Sequence, residues 1–393
     1  MGGFSKSRLE RVRGVLDGYV QRGAVPGAVA VLGRGGETLA EAAGDVRPDS
    51  IFRIASMTKP IVAVAALILA EECVLRLDDP VQEYLPELAD RRVLTRLDAP
   101  LDDTVPAERA ITLRDLLTFR LGLGFGAGMW GPPGTVPIMD AINDLPNGKP
   151  APAAVPGPDE WMRRVGALPL VYQPGERWLY NIGSDLLGVL IARASGRTLE
   201  QFLRERIFSP LDMPDTGFWV PAASLDRLPP LLATDPGTGE TVLDDPPSGQ
   251  WAAPPAFESG SGGLVSTADD YAAFAAMLRG GGTHRGVRIL SRASVALMTA
   301  DQLPPEVKAV SGLAPGDFDD LGWGFGVSVV TRRTQLYHSV GTYGWSGGLG
   351  TTWVNDPAED LTLILLTQQA FTSHLPPAIN RDFWTAAYQA LDD

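Results

Sequence analysis

Two short motifs in this chain carry residue types that could do covalent chemistry. The first is Ser56-Met57-Thr58-Lys59, at the end of FRIAS and the start of an apolar run. Pro60 fits only the first turn of a helix, where its missing N–H costs nothing. Ser56 therefore sits at or beside a helix N-cap. The bland alternative is that serine merely caps that helix. Lys59 argues against it, because a capping box calls for Glu or Gln there and a cation in the first turn opposes the helix dipole. The chain has only four lysines, Lys6, Lys59, Lys149 and Lys308, against 29 arginines. Residues three apart share a helix face, so Lys59 can reach the Ser56 hydroxyl. Burial and the positive helix end both lower a lysine pKa, and a neutral amine can accept the serine proton. The Ser56 N–H at the helix start is also placed to meet a developing oxyanion.

The second motif, Gly344-Trp345-Ser346-Gly347-Gly348, matches the Gly-x-Ser-x-Gly nucleophile elbow. Asp356 or Asp360 and then His374 follow in the Ser–Asp–His order of an α/β-hydrolase. The elbow requires strand–turn–helix, but Gly348 onward reads as a strand, and 28 residues from Ser346 to His374 leave no room for the βα units. Ser346 is read as a decoy. The glycines suit a strand edge that lets a substrate carbonyl approach a main-chain N–H, Gly348 in particular. A glycine-rich β-bulge is the structural alternative. Tyr180, on a loop before a helix expected over 184–194 and closed by Gly196, is the natural third partner of Ser56 and Lys59. Its phenol can pass a proton to a leaving group, with Lys59 expected to lower its pKa.

The elements that must position these residues follow from pattern. A helix is expected over 6–21, then two strands joined at Arg34-Gly35-Gly36-Glu37, a short extended piece and a helix over 57–72. Strand signals return at 323–330, 334–340, 350–356 and 361–368, followed by a helix over 376–391. The two termini then build one antiparallel sheet flanked by helices, residues 1–75 with 310–393, and 76–309 form a large inserted, mainly helical region. This is an α/β plus α architecture. A Pro/Gly-rich stretch over 122–159 reads as a lid-like loop.

Composition bounds the rest. With 47 acidic against 33 basic residues the net charge is −14, which disfavours nucleic acid and anionic membranes as partners. No apolar stretch is long enough to span a bilayer and no signal-type segment begins the sequence, so a cytoplasmic location is expected. The single cysteine, Cys73, is expected to be a buried structural thiol, and the three histidines, His284, His338 and His374, form no ligand motif. No metal and no cofactor are expected.

Ser56-x-x-Lys59, Tyr180 and Trp345-x-Gly347 ahead of a strand together resemble the class C β-lactamase-like serine hydrolases, in particular the family VIII carboxylesterases. The resemblance covers nearly the whole chain and includes FESGSGGLVSTADDYAAFAAML at 257–278, which looks like a structural element of the family. It implies a β-lactamase/penicillin-recognition fold, an acylated Ser56, Lys59 as its base and Tyr180 as a proton shuttle. Two departures stand out. Position 182 is Ile where a class C enzyme has the Asn of Tyr-x-Asn, and no lysine precedes a Thr-Gly pair. Trp345-Ser346-Gly347 takes that place, as in the esterase branch. Nor is there a Glu-x-x-Leu-Asn for class A deacylation. The missing cation and amide favour small-molecule esters with an uncharged, aromatic or short acyl group, with Trp345 as a wall of the acyl pocket. A β-lactamase, a D-amino-acid peptidase, an acyltransferase and a catalytically dead binding protein remain alternatives on the same scaffold.

The two serine motifs make opposite predictions. Ser56→Ala is expected to abolish ester hydrolysis, and Ser346→Ala to leave a folded enzyme with substantial activity, both measured as p-nitrophenyl ester turnover. The reverse pattern would point to a Gly-x-Ser-x-Gly hydrolase.

Overall fold

The computed structural model describes residues 3–129, 132, 134–145 and 148–392. Near the N-terminus, GAVAVLGR forms strand β1 (Gly27–Arg34), and it turns directly into β2 (Glu37–Gly44). Gly35 and Gly36 both take positive φ, the conformation a two-residue hairpin loop demands and other residues resist. The sheet is completed from the other end of the chain by β3 (Leu321–Trp323), β4 (Ser328–Val330), β5 (Tyr343–Gly347), β6 (Thr351–Asp356) and β7 (Leu361–Thr367). Its order is β3-β4-β5-β6-β7-β1-β2, antiparallel throughout. The N-terminal hairpin docks on the last strand, Val31 opposite Ile364.

Every residue of β7 is buried, because both sheet faces are covered. Ala28, Ala30, Leu363 and Leu365 face an outer layer made by α1 (Lys6–Gln21) and the C-terminal helix Ala378–Gln389, through Val12, Leu16, Phe383 and Trp384. Val29, Val31, Ile364 and Leu366 point the other way into the main core. That core also holds α2 (Thr58–Glu71), which is buried from Thr58 to Leu69. A helix apolar on all sides must be central. It packs on α3 (Ile182–Ser195), which ends at Gly196 in the left-handed conformation. The helix α4 (Ala268–Arg279) lies against the inner face of the sheet, its start capped by Thr267. The fold is that of the β-lactamases and penicillin-recognition proteins, with one antiparallel sheet drawn from both termini.

Three local expectations are corrected. Residues 334–340 form no strand. His338 sits at φ +59°, incompatible with an extended ladder, and Leu336 and Val340 are exposed. The 122–159 stretch is not structureless. It holds the helices Pro137–Asn143 and Pro158–Ala167, each opened by a proline in the first turn, and it buries Met129, Ile138, Ile142 and Val155. Trp130, Gly131, Pro133, Pro146 and Asn147 of that stretch lie outside the described residues. Cys73 is exposed, not buried: it follows the last turn of α2 at φ +60°, where the chain has left the core.

Between β2 and α2 the chain is fixed by Arg53. Its guanidinium is buried against Asp245, with N–H to oxygen distances of 2.9 and 2.6 Å, and also donates to the Pro229 and Pro246 carbonyls. Burial lowers the Arg53 pKa, and Asp245 works against that. Removing one partner of a buried pair strands the other. Arg53→Met is therefore expected to cost about 3–5 kcal/mol, read as a shift of the urea midpoint at constant slope.

Candidate active site

The segment that carries Ser56 is held from three sides. Phe52–Arg53 pairs with Val265–Ser266, the Ile54 N–H donates to Leu264 O at 3.0 Å, and the Tyr271 phenol of α4 donates to Met57 O at 3.0 Å. A single 3₁₀ turn, Ala55–Met57, then leads into α2. Ala55 adopts φ +44°, an uncommon conformation for a residue with a Cβ, and such strain persists only where the surroundings impose it. The Ser56 side chain caps neither the turn nor the helix.

Lys59, in the first turn of α2, has no exposed surface. Its Nζ donates to Ser56 Oγ at 2.9 Å and to Ser261 O at 2.6 Å. Burial pulls its pKa down to about 7, against the upward pull of Asp185. Asp185 on α3 is itself buried and raised by desolvation. It accepts hydrogen bonds from Ser259 Oγ at 2.7 Å and from the Ser261 N–H at 2.9 Å. The carboxyl thus orients the loop whose carbonyl holds the lysine. Neither Asp185 nor Ser261 was singled out as a site residue by motif. The signal for the first is an acid inside the apolar helix NIGSDLLGVLIA.

Tyr180 precedes α3 and is tied by backbone bonds to Phe125 at 2.7 and 3.0 Å. Its ring centre lies 4.6 Å from Lys59 Nζ, and its hydroxyl is within hydrogen-bonding reach of Ser56. Trp345 Nε1 donates to the Tyr180 hydroxyl at 2.8 Å. The expected lowering of the phenol pKa is reversed. Burial pushes it up to about 12 despite the bonds to Ser56 and Trp345, so Tyr180 stays protonated at neutral pH. Around it, Phe119, Trp178, Trp323 and Trp345 form edge-to-face and stacked contacts.

Gly347 ends β5 against the Ser56 turn. A Cβ there would lie 2.2 Å from Ile54 O, so only glycine permits this approach. Gly348 is exposed and open, and neither its N–H nor that of Ser56 finds a backbone acceptor among the described residues. Ser346 pairs with Thr352 in a β-ladder with no following helix, as the strand reading anticipated. The rival triad does not assemble. His374 approaches Asp317 at 3.6 Å, Asp356 accepts from Tyr388 and the Ser339 N–H, and Asp360 lies beside Arg279. Among the described residues no cluster of three or more His, Cys, Asp or Glu could hold a metal, and no helix is long and apolar enough to cross a membrane.

Two cavities meet at Ser56 and Tyr180. One, about 380 Å³, is walled by Trp178, Phe318, Trp323 and Trp345 and is the more enclosed. The other, about 820 Å³, is more open and has Asn143, Lys149, Thr234 and Asp235 among its lining. Gly348 borders both.

Comparison with known proteins gives the family and the fold. A family model described as Beta-lactamase matches residues 12–382, and the chain belongs to that family. It is 41% identical to Protein Rv1367c of Mycobacterium tuberculosis over 325 residues, covering 81% of this chain and 78% of that protein. It is 30% identical over 407 residues to the esterase EstB of Burkholderia gladioli, covering 93% and 91%. Among solved structures, EstCE1, described as a hydrolase with promiscuous acyltransferase activity, superposes with a TM-score of 0.79 at 25% identity, over 98% of this chain and 99% of that one.

The lysine environment fixes a pH dependence. A base must be unprotonated to work, so kcat/KM is expected to rise with pH through about 7 and level off above it. Tyr180, held protonated, adds no falling limb in that range. Lys59→Arg keeps the charge but cannot lose its proton, and is expected to be nearly inactive at every pH in a stopped-flow ester assay.

Proposed function

We propose that the protein is a cofactor-independent serine carboxylesterase that works through an acyl-enzyme on Ser56. The observation that carries this is the 2.9 Å contact between Ser56 Oγ and a lysine amine sealed from water, its pKa near neutrality. Neutral Lys59 takes the Ser56 proton as Oγ attacks the ester carbonyl. The Ser56 and Gly348 N–H groups receive the oxyanion. As the tetrahedral intermediate collapses, the Tyr180 phenol gives its proton to the leaving alcohol and regains one from Lys59. Water then attacks the acyl-enzyme by the same route in reverse, releasing the acid and restoring Ser56.

The enclosed cavity is assigned to the acyl group, with Trp345 as one wall. No lysine or arginine is among the residues described as lining it, which favours uncharged acyl groups over the carboxylates of β-lactams or D-amino-acid peptides. Short acyl esters fit this cavity, as do aromatic ones. The open cavity gives the leaving alcohol its exit and water its entry.

A second reading, transfer of the acyl group to an alcohol, is favoured by the size of the open cavity and by the EstCE1 likeness. Small-molecule esters are the substrates on either reading.

p-Nitrophenyl butyrate is expected to be cleaved at least a hundredfold faster than nitrocefin, compared as kcat/KM. An equal or faster nitrocefin reaction would favour the β-lactamase alternative. Labelling of Ser56 by a fluorophosphonate, located by mass spectrometry, separates an enzyme from a binding protein. Partitioning of the acyl group between water and added alcohol, followed by chromatography, separates hydrolase from acyltransferase.

A further inference from the structure

The two cavities meet along a narrow seam. Among the described residues, five border both: Ser56, Tyr180, Gly348, Leu313 and Phe371. The first three belong to the reaction as read above. The other two are bulky apolar side chains from separate loops, with no part in the proton transfers. An ester seated at Ser56 has its acyl group in one cavity and its alcohol in the other, so its carbonyl sits where these five residues converge. Leu313 and Phe371 therefore form a collar at the reacting carbon.

Both collar residues are fixed from behind. The Phe371 N–H donates to Gly348 O at 2.8 Å, which ties that residue to the end of β5. The Leu313 N–H donates to Asp317 Oδ2 at 2.9 Å and the Ala314 N–H to the same oxygen at 2.8 Å, so Asp317 shapes the turn that carries Leu313. The other Asp317 oxygen faces His374 Nε2 at 3.6 Å. Among the described residues no backbone hydrogen bond joins 372–376 to another segment, and the His374–Asp317 contact is the one polar tie of that stretch. It joins the loop of one collar residue to the loop of the other. A contact of this length is weak. It nevertheless sets the spacing of two loops that no other polar contact connects.

The enclosed cavity behind the collar is walled by Trp178, Phe318, Trp323 and Trp345, which meet edge to face. Flat rings pack well against such faces and edges. A packed opening resists added bulk, because side chains already in contact have little room to give.

We propose that the Leu313–Phe371 collar selects acyl groups by thickness, passing planar or unbranched ones and refusing those that are thick at the carbon beside the carbonyl, with His374 and Asp317 as positioning residues that fix its gap. The proposal rests on the acyl-enzyme reading above and narrows its substrate class to aromatic and straight-chain esters.

The test compares p-nitrophenyl benzoate with p-nitrophenyl cyclohexanecarboxylate, whose acyl groups have the same carbon count and differ in thickness. Each kcat/KM is divided by the rate of the same ester with hydroxide, which removes intrinsic reactivity. The wild type is expected to favour the benzoate about tenfold, the low end of what forcing extra bulk into a packed site costs. Leu313→Ala should bring that ratio to about one. His374→Ala should lower it as well, and His374→Gln, which still reaches Asp317 with a donor, should keep it near the wild-type value. A mere loss of folded enzyme slows both esters together and leaves the ratio unmoved. A wild-type ratio near one overturns the proposal, as does a ratio that Leu313→Ala retains. A ratio that changes in Leu313→Ala and not in His374→Ala overturns the role given to the His374–Asp317 contact. If no p-nitrophenyl ester reacts, acetate included, the esterase reading fails by itself, and calorimetry with two unreactive ketones judges the collar. Acetophenone is then expected to bind the wild type about tenfold more tightly than cyclohexyl methyl ketone, and Leu313→Ala to bind the two equally. Equal binding by the wild type, no binding of either ketone, or a preference that Leu313→Ala keeps overturns it.

Discussion

A primary amine shut away from water and pressed against a hydroxyl is the arrangement on which the rest depends. An ammonium group leaves water at a cost of several kcal/mol. The molecule meets that cost by letting the charge go near neutral pH and by supplying one carbonyl and one distant carboxyl as partial compensation. Every neighbouring element serves this exclusion. α2 and α3 are buried on all sides, the 257–264 loop closes over the amine, and the Tyr180 ring covers it from above the turn. A looser core would admit water and restore the ammonium.

The sheet contributes rigidity and one close contact. β5 approaches the Ser56 turn so nearly that its last residue must be glycine, and that approach brings the Ser56 and Gly348 N–H groups to the same cavities. The aromatic cluster of Phe119, Trp178, Trp323 and Trp345 fixes the Tyr180 ring by packing and one indole bond, so the phenol needs no charge to hold it. Burial then keeps that phenol protonated at neutral pH, whereas it draws the lysine towards the neutral amine.

Much of this was legible from residue types. Pro60 marked the start of the helix that carries Lys59, and the strand character of 350–356 placed Ser346 in a β-ladder. The antiparallel sheet drawn from both termini followed from where apolar alternation appeared and stopped. What pattern could not give were effects of three-dimensional surroundings. The direction of the Tyr180 pKa depends on how completely four aromatic rings cover it. Asp185 and the Ser261 carbonyl act across the chain from Lys59, with no motif linking them. At 334–340 the alternating residues mimic a strand, and only the left-handed backbone at His338 shows that the segment turns away. Proline at 137 and 158 read as a loop signal, yet in both cases it opened a helix.

The docking of the first hairpin on the last strand has a consequence for how the chain is made. β1 is an apolar ribbon whose partner β7 emerges from the ribosome more than three hundred residues later. At ordinary rates of synthesis that gap lasts on the order of tens of seconds. During it β1 presents an unpaired edge, a template for pairing with another nascent chain. β2 covers the opposite edge of β1 at once, through a tight glycine turn, and leaves only the β7 side open. The hairpin is thus a placeholder: it must persist, half-covered and in register, until the C-terminal strands arrive to shut the sheet.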